Sequence, residues 1–159
     1  YLTPTELDHI ARQLDRLNAH RANDWQALSL QHQVHHDDWP QAVAALRELV
    51  QLADAGDLLP ETARVLVDRM ADSRTLQSSH AIEVYKLLEN RAASEQNGSV
   101  RAWLELALGD MQLAQFQSLQ AAIQHYSQAM QAGGDSSAGR LAATKREQLI
   151  DRQLLELVR

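Results

Sequence analysis

Three short patterns recur at near-even spacing along this chain and constrain its fold more than any other feature. Ala42-x3-Leu46-x2-Leu49, Ala81-x3-Tyr85-x2-Leu88 and Ala122-x3-Tyr126-x2-Ala129 follow one another at steps of 39 and 41 residues. In each, a small residue and two others at i+4 and i+7 share one helical face, so every copy can dock on a partner helix. Leu28, Val67 and Leu108 stand fourteen positions before the leading alanines, so each unit holds two helices. A period of this length marks a stacked array of helix pairs, each burying its apolar face against its neighbours. Such an array presents surface to partners and seldom carries chemistry.

Composition agrees with helices. Aromatics are 4% of the 159 residues and there are three prolines, which suits an Ala/Leu/Gln-rich helical chain far better than a β-sandwich. No segment sustains the alternation of a half-buried strand. The net charge of −6 argues against nucleic acid, whose phosphates require a basic footprint. No run reaches the roughly 18 apolar residues of a membrane span, so direct membrane insertion is not expected. Zero cysteines exclude disulfides, thiol catalysis and thiolate metal sites, and fit a bacterial cytoplasm or periplasm equally. The first residue is Tyr1, not a Met, which fits a processed product or a fragment.

Local signals divide the chain into about eight helices. Thr3-Pro4-Thr5-Glu6 reads as a capping box, with Leu2 and Leu7 at the staple positions, and predicts a helix over residues 4–20. Asn23 or Asp24 caps a second helix carrying Trp25, Leu28 and Val34. Asp38 caps a third, with Pro40 in its first turn, that runs to the Asp54-Ala55-Gly56-Asp57 stop. Further helices are predicted over residues 60–73, 79–93, 99–115, 118–132 and 138–157. The last is anchored by Leu141, Leu149, Ile150, Leu154 and Leu157. Gly133-Gly134-Asp135 reads as a flexible linker before it. The whole is expected to form one all-α domain over residues 1–159. Its parts are an N-terminal helix (1–21), three helix-pair repeats (22–56, 60–94 and 99–132) and a C-terminal capping helix (137–159).

The internal pattern resembles the tetratricopeptide repeat. Trp25, Leu28 and Ser29 with Ala42, Leu46 and Leu49 look like one copy, and Leu108-Gly109 with Ala122, Tyr126 and Ala129 like another. Val67, Ala81, Tyr85 and Leu88 mark the middle one. The period exceeds the family's roughly 34 residues, which leans toward extended-loop relatives or a general α-solenoid. The resemblance implies a right-handed α-solenoid of antiparallel helix pairs, tetratricopeptide-like, with a concave groove lined by first helices. Mapped by position, that groove holds Asn23, Gln26, Leu30 and Gln33, then Thr62, Val65, Arg69 and Asp72, then Trp103, Leu106, Asp110 and Leu113. The terminal-carboxylate clamp of some relatives needs Lys and Asn at such positions, and Asn23 alone meets that need.

The one dense polar constellation is His32-x2-His35-His36-Asp37-Asp38. Neutral imidazoles at i and i+4 can share a helical face and bind zinc or copper, with a carboxylate completing the set. The favoured reading is a solvated turn in which Asp38 caps the next helix. The alternative is a metal- or small-ligand-binding helical bundle using His32, His35 and His36 with Asp37 and Asp38. No base–nucleophile or paired-acid arrangement points to an enzyme, and no cofactor is implied. Trp25 and Trp39 read as packing residues, while Trp103 is the best single candidate for partner contact, with core packing as the alternative.

Charge adds a last expectation. Residues 37–72 carry eight acidic against three basic side chains, and residues 137–159 five basic against three acidic. A basic partner segment, or the basic end of a second copy, is therefore expected near the middle repeat. The function expected is a protein-interaction scaffold or adaptor that binds a peptide or helix, as part of a bacterial secretion, envelope or assembly machine.

Overall fold

The computed structural model describes the backbone of residues 1–17, 22–52 and 56–158, and all of their side chains except those of residues 14–17 and 22–26. Among the described residues there are eight α-helices and no strand: α1 (Pro4–Leu17), α2 (Ala22–His35), α3 (Trp39–Leu49), α4 (Leu59–Asp72), α5 (Ser78–Ser94), α6 (Gly98–Ala114), α7 (Leu119–Gly133) and α8 (Ser137–Val158). The chain is all-α. None of these helices is long and apolar enough to cross a membrane.

Helix starts follow the local chemistry. Thr3 and Glu6 exchange hydrogen bonds, the Thr3 amide donating to Glu6 Oε2 at 2.6 Å and the Glu6 amide to Thr3 Oγ1 at 3.3 Å. That is a closed capping box. Leu7 is buried, while Leu2 stays 41% exposed. Asp38 Oδ1 accepts from the Gln41 amide at the head of α3. Asn97 and Ser118 accept from the first free amides of α6 and α7. Helix α3 ends at Leu49, sooner than its sequence stop; within that stop, residues 54 and 55 lie outside the described residues. The expected linker is a tight turn. Gly134, at φ 53°, donates its amide to Met130 O, and Ser136 accepts from the Gly139 amide to open α8.

Two compact units divide the chain within α5, Tyr1–Leu87 and Leu88–Arg159. In the first, α2 packs on α1, α3 and α4. The core includes Leu30, Val34, Trp39, Ala42, Leu46, Leu49, Leu59, Leu66, Met70 and Val84. Trp39 is 1% exposed, and its indole N–H donates to Ser73 Oγ at 3.0 Å, tying the head of α3 to the residue after α4. The register of α2 differs from expectation. Ala27, Leu30 and Val34 form its buried face, while Leu28 is 38% exposed. Three neighbouring helices select that face, and spacing within α2 alone does not reveal them.

In the second unit, α6, α7 and α8 all touch one another. Gly98 faces the Ala132 carbonyl and Glu105 faces His125, so α6 and α7 run antiparallel. Their core joins Ala102, Leu106, Ala122, Tyr126 and Ala129 to Ala138, Ala142 and Leu149 of α8. The three leading alanines, Ala42, Ala81 and Ala122, are all buried. Leu141, Leu154 and Leu157, expected as apolar anchors, are instead 40%, 56% and 80% exposed.

Candidate functional site

Ala138, Ala142, Lys145 and Leu149 fall at helical spacing on α8, and three of the four are buried. Lys145, half-buried at the edge of this stripe, gains from a partner for its charge. That partner is Asp110 on α6, whose two oxygens accept from Lys145 Nζ at 2.9 Å each. Asp110 Oδ1 also accepts the Tyr126 hydroxyl at 2.6 Å. Burial, and then the Asp110 hydrogen bond and negative charge, push the Tyr126 phenol far above its ordinary range. Tyr126 therefore stays a neutral donor. One carboxylate thus joins α6, α7 and α8.

Beside this triad lies an open groove of about 340 Å³. Leu113, Leu149 and the Tyr126 ring give it apolar walls, and Lys145, Gln148 and Arg152 give it polar ones. Arg152 reaches Glu156 on the next turn at 3.5 Å, with both side chains more than half exposed. Past the groove, α8 continues into a strongly apolar surface. Leu154, Leu155, Leu157 and Val158 are 56%, 66%, 80% and 86% exposed.

The sequence-derived groove residues are divided between the two units and differ in exposure. The side chains of Asn23 and Gln26 lie outside the described residues, as does that of Trp25. Leu30 is fully buried and offers nothing to a partner. Leu106 is 3% exposed in the core of the second unit, with Trp103 and Leu113 packed against that core half-buried. Asp110 is engaged by Tyr126 and Lys145. Helix α8 also packs on α6, where Ala138 and Ala142 are small enough to let it approach. Arg69 and Asp72 belong to the first unit. The Arg69 guanidinium donates to the His35 carbonyl at 3.3 Å and to Asp37 Oδ2 at 3.5 Å. Asp72 is exposed at the last residue of α4.

Sequence reasoning missed Lys145, Gln148 and Arg152. The signal for Lys145 was present: it is one of only two lysines in the chain and interrupts an alanine–leucine stripe.

The histidine turn has a defined shape. Asp37, at φ 54°, ends α2 in the left-handed region. Its amide reaches Val34 O and the Asp38 amide reaches Gln33 O, the two bonds of a Schellman end. The His36 amide still bonds His32 O at 3.2 Å, which keeps this pair at helical i, i+4 spacing with ring centroids 4.5 Å apart. The His35 ring lies instead beside Tyr1, at 5.3 Å. Among the described residues, no group of three or more His, Cys, Asp or Glu side chains is placed to hold a metal ion.

Comparison of the chain with protein-family models, with curated proteins and with solved structures finds no match in any of the three.

Proposed function

We propose that this chain is a protein-interaction module of the helix-pair solenoid type, similar to tetratricopeptide repeats, which binds an amphipathic helix or peptide of a partner protein. The observation that carries the reading is the apolar end of α8 beside the Leu113–Leu149 groove. Four large apolar residues more than half exposed on adjacent turns form the kind of surface that marks an interaction site. They fall at i, i+1, i+3 and i+4, the arrangement that receives the apolar face of another helix. Two packing features support the repeat reading. Gly109 lets α7 approach until the Tyr126 ring lies where a Cβ would stand, and the leading alanines of all three units are buried.

Affinity capture from the source lysate tests the proposal with three baits. The wild-type chain is expected to retain a partner, the Leu154→Asp/Leu157→Asp variant to lose it, and Arg140→Glu, altered at an exposed position near the head of α8, to retain it. Identical capture by all three baits would remove the α8 surface from the account.

A further inference from the structure

We propose that His32 and His36 form a two-imidazole chelate for a borderline divalent transition cation such as Zn²⁺ or Ni²⁺, with water completing the coordination shell. The site is independent of the surface on α8. Imidazole nitrogen suits this class of ion, and two ligands one helical turn apart enclose it without rearranging the backbone. Three features favour the pair over the wider histidine–aspartate cluster. The helical hydrogen bond from the His36 amide to His32 O persists past the end of α2, and holds the rings with centroids 4.5 Å apart and planes tilted at 58°. Both rings line an open groove of about 320 Å³, shared with Thr3, Gln33 and Asp38, which leaves room for an ion and its waters. Asp37 turns one oxygen, Oδ2, toward Arg69 at 3.5 Å, and the His35 ring lies closer to Tyr1 than the His36 ring does, at 5.3 against 6.0 Å.

Such an ion would clamp the last turn of α2 and restrain the groove beside the head of α1. The test is a Zn²⁺ titration of the full chain at pH 7.5 by calorimetry, repeated with Ni²⁺ while the imidazole signals are followed by NMR. Saturable one-to-one binding is expected, with paramagnetic broadening centred on His32 and His36. His32→Asn and His36→Asn should each weaken Zn²⁺ by at least about tenfold, since losing a ligand exceeds losing an outer partner. His35→Asn should bind within about twofold of wild type, a difference far below the 1.4 kcal/mol of a tenfold change. His36 is exposed, so its variant is expected to fold even if His32→Asn does not, which circular dichroism checks. The proposal is overturned by non-saturating binding up to millimolar Zn²⁺, by unchanged affinity in His36→Asn, or by an equal loss in His35→Asn.

Discussion

A methyl group at position 109 would strike the ring of Tyr126. An alanine side chain could be accommodated there only if α7 moved away or the ring left Asp110. Gly109→Ala is therefore expected to destabilise the chain by about 1–3 kcal/mol, the range for overpacking a filled interface, even though alanine is the better helix former. Urea denaturation measures the difference, and a neutral or stabilising result would mean the two helices are not held this closely. A second residue-scale prediction concerns Glu105 and His125, which meet at 2.7 Å with both side chains buried. Oriented with its nitrogen toward Glu105, the Gln128 amide adds bonds of 2.9 and 3.3 Å. Glu105→Ala removes the acceptor these groups share and should cost about 1.5–3 kcal/mol. In a double-mutant cycle with His125→Ala the two losses should fall short of additive, because each variant already breaks the same bond.

At the scale of the element, the helix starts were legible because capping is local chemistry. Thr3-x-x-Glu6, Asp38 and Ser118 each need only the next few amides to act. The α1 box gives a pH prediction. Hydrogen bonds from the Thr3 backbone and side chain hold the Glu6 carboxyl below its ordinary pKa. Its contribution to stability is thus complete above the unfolded carboxyl value and is lost as pH falls through the lower folded value. Protection factors of the α1 amides, taken relative to the intrinsic exchange rate at each pH, should fall on acidification through that window in the wild-type chain, and Glu6→Gln should flatten this part of the profile. The buried faces were less legible. Helix α2 carries apolar side chains at 28, 30 and 34, and contact with α1, α3 and α4 decides which of them go inside. Helix α8 was misread in two ways. Spacing alone placed Leu154 and Leu157 in a core that does not reach them, and treated Lys145 as surface charge although its partner lies 35 residues back on α6. Asp110, mapped to the groove from the sequence, pairs with Lys145 of the same chain. Lys145→Met should therefore leave Asp110 short of its cation and lower the melting temperature, whereas Lys86→Met, at an exposed position on α5, should leave it unchanged.

For the molecule as a whole, the helical class and the helix count follow from periodicity and caps, while the interaction surface follows from where the core stops. The small residues at 138, 139 and 142 bring α8 onto its own unit, and beyond Leu149 the helix continues as four exposed apolar side chains with nothing of the described chain covering them. A surface of this kind is expected to bind or to self-associate, and the account commits to a partner protein. The most direct measurement is site-specific photocrosslinking in the source lysate, with a photoreactive phenylalanine analogue at position 154, 157 or, as the comparison, 140. Discrete adducts of higher mass should form from positions 154 and 157 and be absent from position 140. Equal labelling from all three positions, or adducts containing only this chain, would contradict the assignment of the α8 surface to a partner protein.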